Sequence, residues 1–202
     1  MDLSTLDLPQ SERITTLKKI EQRVLWLAIQ QVHYANRHRP KKDKLKVGGH
    51  QTSSASVVTI LTTLYFNYLR HGDLISIKPH ASPVFHAIQY LLGKLDQSRL
   101  KQLRDFHGLQ AYPSRTKDPD RVDFSTGSVG MGVGMTTFAS LTQDYLRFKS
   151  LIPDSEPPGR TSCAHAVTTR SGCGTCSSIS IQVTPSNRAA CVCANSSAVP
   201  CW

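Results

Sequence analysis

Cysteine is absent from the first 162 residues of this 202-residue chain, and all six cysteines lie in the last forty. The last part lacks other residue types: Phe, Tyr, Lys and Met do not occur after Lys149, and Trp202 is its only aromatic residue. A folded core is built mainly from large apolar and aromatic side chains. Composition therefore divides the chain near residue 150, and we treat residues 1–150 and 151–202 as different regions.

The sequence also lacks any apolar run near the ~20 residues that a membrane-spanning helix needs. The first residues include Asp2 and Asp7 and contain no apolar segment typical of a secretory signal. These absences predict a cytoplasmic protein with no membrane partner.

Positive charge dominates, with a formal net charge of +10, nearly all of it in residues 1–150. The densest run is RHRPKKDKLK at residues 37–46. No aromatic residues are interleaved in this run to stack on bases, as single-stranded nucleic acids require. We interpret it as a solvated helix end followed by a connector, and expect no nucleic-acid partner.

Hydrophobic periodicity in residues 1–150 predicts several helices and one clear strand. Apolar residues at three- and four-residue steps begin after a possible cap at Ser11 and predict a helix that ends near Arg39, before Pro40. The remaining predicted elements are helices over 54–69, 84–92, 97–106 and 131–148, a short strand over 73–78 and a long loop over 111–123. This order is typical of an α/β fold with an incomplete parallel sheet.

Three local motifs could carry chemistry. His50 follows a Gly-Gly turn, His80 lies between a strand and a helix, and four glycines at 127, 130, 132 and 134 precede a helix. Ligands of open α/β sheets collect at the carboxyl ends of strands, and helix starts attract phosphate. A single histidine beside a turn more often makes a local hydrogen bond, and small residues also serve close helix packing. Together, the three motifs predict a site for a phosphorylated cofactor.

The motifs GGHQTSS, GDLISIKPHASP and STGSVGMGVG together resemble the N-terminal part of the thiamine-diphosphate domain of the transketolase family. The stretch LQAYPSRTKDP makes the homodimeric pyruvate dehydrogenase decarboxylating component the most similar branch. The resemblance covers about residues 15–149. It implies an incomplete N-terminal part of a thiamine-diphosphate-binding domain, with a parallel sheet flanked by helices.

The resemblance also implies roles for particular residues. His50 would lie near the reacting centre and the diphosphate, and His80 would hydrogen-bond the diphosphate; both would be catalytic. The loop would line the two rings of the cofactor. Its cofactor-binding residues would be Gly127, Ser128, Val129 and Gly130, with Val129 as the apolar contact.

The sequence departs from the family in two places. Transketolases carry a further histidine near the position of Ser114, which weakens the expectation of a sugar phosphate. The family continues with a Gly-Asp motif and an Asn that hold Mg²⁺, whereas this chain reads LIPDSEPPGR after Ser150. Mg²⁺ prefers oxygen ligands. We therefore expect the Mg²⁺ ligand motif to be absent, and assign no metal ligands.

Residues 151–202 are rich in Ser, Thr, Ala and Pro and poor in large apolar residues. Such a composition predicts an irregular or disordered tail, and the abrupt change suggests an out-of-frame origin. Cys173, Cys176, Cys191 and Cys193 could instead form a small zinc-binding module. A redox site at Cys173 and Cys176 lacks the usual βαβ setting.

The resulting hypothesis is a truncated enzyme of the pyruvate dehydrogenase or transketolase type. Its full-length relative would decarboxylate a 2-oxo acid or transfer a two-carbon unit, as a homodimer. The chain alone is expected to be inactive, and its partner would be a second copy or a full-length subunit. The alternatives are a non-catalytic interaction fragment and the zinc module of the tail.

Overall fold

The computed structural model describes residues 9–41, 45–70, 72–127 and 130–152, together with the backbone of three strands at 161–168, 177–184 and 190–194. The first element is α1 (Gln10–Arg37), which begins one residue before the predicted cap. Pro9 occupies the N-cap position, and no side chain caps the helix. Ser11 lies inside the first turn, because the fixed backbone of the proline already sets the helix start.

The predicted helix over 54–69 is divided into three pieces. These are α2 (Gln51–Ala55), α3 (Val58–Thr63) and a π-helical turn at Leu64–Tyr68. At the first break, the hydroxyl of Ser56 donates to the carbonyl of Ser53 at 2.9 Å. A serine side chain that bonds to nearby backbone competes with the helical pattern, and periodicity alone does not reveal this.

The strand β1 (Leu74–Ile77) leads into α4 (Ser82–Leu91), as the sequence predicted. The predicted helix over 97–106 is instead a short 3₁₀ helix at Gln97–Lys101. Arg104 adopts a left-handed conformation with φ 56°, and its N–H donates to Leu109 at 2.7 Å. A left-handed residue ends helical geometry, so the chain turns back here. The helix α5 (Met131–Phe148) has the predicted bounds.

The core of the described chain lies between α1, α3, β1 and α4. Helix α1 packs on α3 and α4. The apolar side chains of β1 at Ile75 and Ile77 are buried. The largest fully buried side chains include Phe85, Leu61, Ile77, Ile88 and Leu103. This packing fixes α4 and the end of β1 relative to α1. Across the described helices, none combines the length and the apolar character needed to cross a membrane.

The sheet has four strands in the order β1, β2 (Thr161–Thr168), β3 (Ser177–Thr184) and β4 (Ala190–Ala194). Strands β1 and β2 are parallel, with Leu74 opposite Thr161, whereas β2–β3 and β3–β4 are antiparallel. The parallel sheet expected from the sequence is therefore limited to one pair.

The prediction of an irregular tail was wrong for these three strands. Total apolar content was the wrong guide, because a half-buried strand needs apolar residues only at every second position. Residues 178–183 read SISIQV and carry that alternation. Whether the tail arose out of frame stays a prediction, and the zinc module depends on cysteine side chains outside the described part.

Candidate functional site

The turn that carries His50 is fixed to α1. Gly48 and Gly49 have φ values of 88° and 111°, which favour glycine. The side-chain amide of Asn36 in α1 donates to the Gly48 carbonyl at 2.8 Å, and its oxygen accepts the Gly48 N–H at 3.0 Å. A Cβ on Gly49 would come within 2.9 Å of the Val32 side chain. His50 is therefore placed by close contact between the turn and α1, at the N-cap of α2.

The second histidine lies in the turn between β1 and α4. His80 has a φ of 65°, uncommon for a residue with a Cβ. Its N–H donates to the carbonyl of Ala111 at 3.2 Å. The connection from Ile77 to Ser82 is too short for His80 to move far from the carboxyl end of the strand. The strained backbone is held by the buried elements on both sides of it.

The structure brings His50 and His80 together, although thirty residues separate them. Their ring centroids are 4.5 Å apart with an interplanar angle of 77°. Tyr112 forms the third side of this group, with its ring 4.7 Å from that of His80. The Tyr112 hydroxyl lies 2.9 Å from Nε2 of His80. We call His50, His80 and Tyr112 the ring cluster.

The environment of the ring cluster is positively charged. Burial lowers the pKa of His80 from its ordinary value. Electrostatic interactions with His50, Arg104 and Lys78, in decreasing order, lower this pKa further. Burial also lowers the pKa of Lys78. His80 is therefore neutral at pH 7, and an anion placed here would meet favourable charges.

The hydrogen bonds of His80 leave one ring nitrogen available. A neutral imidazole has one N–H and one acceptor nitrogen. When the Tyr112 hydroxyl donates to Nε2, the proton of His80 resides on Nδ1. Nδ1 is buried and has no hydrogen-bond partner in the described chain. A buried N–H without a partner is costly, so this atom fits an oxygen atom of a bound anion.

The glycine-rich segment approaches the same end of β1. Thr126 is buried, its hydroxyl donates to the Ile77 carbonyl at 2.8 Å, and its N–H donates to Pro113 at 3.0 Å. Gly127 follows directly, and a Cβ there would meet no atom of the described residues within 4 Å. Gly130 is the N-cap of α5, with a φ of 80°. Ser128 and Val129 lie outside the described residues.

A cavity of about 470 Å³ opens beside His50. It lies between α1 and residues 46–53, and its lining includes His33, Arg37 and Lys46. This volume falls in the range of small-molecule sites, and its lining is basic. It provides space for a small anionic molecule next to the ring cluster.

Sequence reasoning missed four residues of this site. Tyr112 lies in the segment that we interpreted as a long loop, and Thr126 lies just after that segment. Lys78 and Arg104 were not selected as candidate site residues. Tyr112 precedes Pro113, which restricts it to extended backbone. That restriction of its backbone was a local signal in the sequence that Tyr112 does not lie in a freely variable loop.

One described group of three residues could hold a metal ion: His86, Asp118 and Asp120, whose ligand atoms all lie within 4.8 Å of one another. Nδ1 of His86 is 2.8 Å from Asp120, and Nε2 is 3.1 Å from the carbonyl of Gln110. Both nitrogens are thus engaged in hydrogen bonds. The group is distinct from the ring cluster and offers only two carboxylates to an oxygen-preferring ion such as Mg²⁺.

The fold and the site together define an α/β unit in which imidazoles and positive charges converge at the carboxyl end of a strand. No family model matches the chain. It is 31% identical over 162 residues to the pyruvate dehydrogenase E1 component of Cupriavidus necator, covering 74% of this chain and 17% of that protein. It is 32% identical over 143 residues to the corresponding component of Escherichia coli K12, covering 66% of this chain and 16% of that protein.

A third relative is the transketolase-like protein 2 of Mus musculus, 33% identical over 108 residues, or 48% of this chain and 17% of that protein. The chain is therefore related to the thiamine-diphosphate-dependent family of pyruvate dehydrogenases and transketolases. It spans about one sixth of the length of these relatives.

Proposed function

We propose that residues 9–152 form the diphosphate-binding part of a thiamine-diphosphate site. The observation that carries the proposal is the contact between His50 and His80 at the end of β1, with Nδ1 of His80 buried and without a hydrogen-bond partner among the described residues. An N–H in that position would donate to a diphosphate oxygen. Hydrogen bonds to charged groups contribute roughly 1.5–3 kcal/mol each, enough to influence affinity measurably.

The neighbouring residues would have distinct roles. Tyr112 would hold the His80 ring through Nε2, and so keep the proton of His80 on the nitrogen that faces the cofactor. Lys78 and Arg104 would favour the negative charge of the diphosphate. Gly127, Ser128, Val129 and Gly130 would lie against the rings, where Gly127 leaves open space for close approach.

His50 would act on the substrate. It is exposed at the cavity beside α1, so its imidazole can meet both a substrate and the cofactor. The cofactor supplies the electron sink that stabilises a carbanion, and the protein supplies position and proton transfer. His50 would hold or donate a proton at the oxygen of the substrate carbonyl group, because an imidazole can both donate and accept a proton through its ring nitrogens.

The relatives suggest the reaction. Those named pyruvate dehydrogenase E1 component share more of this chain than the transketolase-like protein does, so we favour decarboxylation of a 2-oxo acid over two-carbon transfer from a sugar phosphate. The active assembly would be a homodimer or a pairing with a full-length subunit, in the cytoplasm. This chain alone would have no turnover, because the Gly-Asp motif with which the family holds Mg²⁺ does not follow Ser150, where the sequence reads LIPDSEPPGR.

Titration calorimetry tests the proposal with thiamine diphosphate, thiamine monophosphate and thiamine. We expect affinity to rise with phosphate number and to change little when Mg²⁺ is omitted. His80→Ala should weaken binding of the diphosphate roughly tenfold or more and leave the weak binding of thiamine unchanged. His107→Ala is the matched control, because His107 is also left-handed, with φ 55°, and is exposed. Equal binding of the three ligands, or equal loss in both variants, would overturn the proposal.

A further inference from the structure

His86 is a completely buried histidine whose two ring nitrogens both face acceptors. Nδ1 lies 2.8 Å from Oδ2 of Asp120, and Nε2 lies 3.1 Å from the carbonyl oxygen of Gln110. A carbonyl oxygen and an ionised carboxylate can only accept. Histidine holds a proton more firmly than aspartate does, so the proton between His86 and Asp120 belongs to the imidazole. With both nitrogens donating, His86 is an imidazolium cation.

The charges around His86 favour this state. Asp118 adds a second carboxylate, with Oδ1 3.8 Å from Nε2, and the His86, Asp118 and Asp120 side chains are all inaccessible to solvent. Oδ1 of Asp120 is buried without a hydrogen-bond partner in the described chain. Tyr65 is a further titratable group close to Asp120; its pKa is raised by burial and then by the Asp123 and Asp120 charges, so it is neutral.

The pKa values agree with the geometry. Burial alone would lower the pKa of His86, but the hydrogen bond and charge of Asp120, together with Asp118, outweigh burial and raise it. Burial raises the pKa of Asp118, while the His86 charge and two backbone donors act against that rise. The cluster therefore contains one buried cation, and without it the two carboxylates would lack a compensating charge.

The cluster holds the segment that carries Tyr112. Three consecutive residues contact the two histidines. The carbonyl of Gln110 accepts from the His86 ring, and the carbonyl of Ala111 accepts the backbone N–H of His80. The Tyr112 hydroxyl forms a hydrogen bond with the His80 ring. The carboxylate of Asp118 accepts the N–H groups of Gln110 and Ser114, each at 2.8 Å. Residues 110–114 are thus fixed at both ends, on one side of α4.

We propose that His86, as a buried imidazolium, is a positioning residue that holds residues 110–114 against α4 and thereby keeps Tyr112 on His80. His86 lies six residues beyond His80, inside α4, whereas His80 lies in the turn that leads into this helix. It touches neither substrate nor cofactor, and acts only through the segment it binds. The inference rests on the proposed function only where it treats His80 as a cofactor ligand.

Nitrogen-15 NMR of the histidine rings in the full chain tests the protonation state directly. Both nitrogens of His86 should carry protons at pH 7, whereas one nitrogen of His80 should not. This experiment requires no cofactor, so it decides the matter even if thiamine diphosphate does not bind. A neutral His86 at pH 7 would overturn the inference, and so would loss of its ring protons on adding one equivalent of Zn²⁺, which would assign the cluster to metal binding.

Limited proteolysis tests the positioning role. Arg115 and Lys117 are exposed, lie between Ser114 and the Asp118 that binds it, and are trypsin sites. His86→Gln removes the charge, and we expect cleavage at these sites to become at least tenfold faster, with no such change in the control His107→Gln. In the unsubstituted chain, cleavage should accelerate as pH rises through the pKa of His86, and the variant should lose this dependence. An identical pH profile in both chains would overturn the inference.

A double-mutant cycle tests whether His86 acts on the ring cluster through Tyr112. His86→Gln and Tyr112→Phe should each weaken binding of thiamine diphosphate, and the double variant should be no weaker than the weaker single variant, because both act on one hydrogen bond. Additive losses would contradict the proposed route.

If His86→Gln does not fold, as judged by circular dichroism, Asp120→Asn replaces it, because this substitution removes the ion pair and keeps the side-chain size. Failure of all chains to bind the cofactor would refute the proposed function. The NMR and protease results would then decide the inference about His86 by themselves.

Discussion

Helices α4 and α5 each follow a segment of the candidate site, but they differ completely in burial. Residues 82–89 of α4 are all buried, whereas only Gly132 and Thr136 are buried in α5. Four large apolar side chains of α5 are more than half exposed: Phe138, Leu141, Tyr145 and Phe148. The histidine part of the site is therefore held by buried elements, whereas the glycine-rich part begins a helix that packs on β1 and β2 but leaves most of its residues accessible.

The largest expected effect separates the two helices by their stability. Phe85→Ala in α4 should lower the free energy of unfolding by roughly 3–5 kcal/mol, because Phe85 is 1% exposed and its removal leaves a cavity. Phe138→Ala in α5 should change it by less than about 0.5 kcal/mol, since Phe138 is 70% exposed. Urea denaturation of both variants checks this. Similar losses in the two would mean that α5 is covered as well as α4.

The glycines of the two segments give the next contrast. Gly49→Ala should destabilise the chain by roughly 2 kcal/mol, because its φ of 111° is strained for alanine and the new Cβ would contact Val32. In Gly127→Ala the new Cβ meets no atom of the described residues within 4 Å, so the substitution should be neutral within about 0.5 kcal/mol. Thermal and urea unfolding of the two variants would measure the difference. A neutral Gly49→Ala would show that the His50 turn is not fixed to α1.

The smallest expected effect is a pH dependence of stability. It compares His80, in the turn before α4, with His86, inside α4. His86 has a raised pKa, so its contribution to stability is complete below about pH 6.5 and is lost as pH rises through its folded-state pKa. His80 has a lowered pKa, so stability falls as pH drops below about 6.5, where the unfolded chain binds the proton more readily.

Denaturation between about pH 5.5 and pH 9 should therefore show a maximum of stability. His86→Gln should flatten the alkaline side of this curve, and His80→Ala should flatten the acidic side. If each substitution changed the opposite side, the assigned signs of both shifts would be wrong.

Much of the helical part could be predicted from the sequence, because apolar periodicity fixes α1, β1, α4 and α5. Sequence reasoning also selected His50 and His80, from their place beside turns and from the resemblance. It missed Tyr112, because its contact with His80 joins residues 32 positions apart through a loop without periodicity. It also missed His86, whose partners Asp118 and Asp120 become significant only when the loop folds onto α4.

The tail shows the opposite error. Composition suggested no regular structure after residue 151, yet strands β2, β3 and β4 are present there. The alternation in SISIQV was a strand signal that the low overall apolar content concealed. For these strands, pattern is the better guide to local backbone than composition.

The most direct test of the account is an NMR titration of His80 in the full chain, observed through its ring nitrogens. At pH 7 we expect Nδ1 to be protonated, and we expect its resonance to move on addition of thiamine diphosphate and to stay in place with thiamine. The same titration should leave the ring of the exposed His107 unchanged. A His80 whose Nδ1 carries no proton, or whose resonance ignores saturating thiamine diphosphate, would contradict the claim that this imidazole binds the diphosphate.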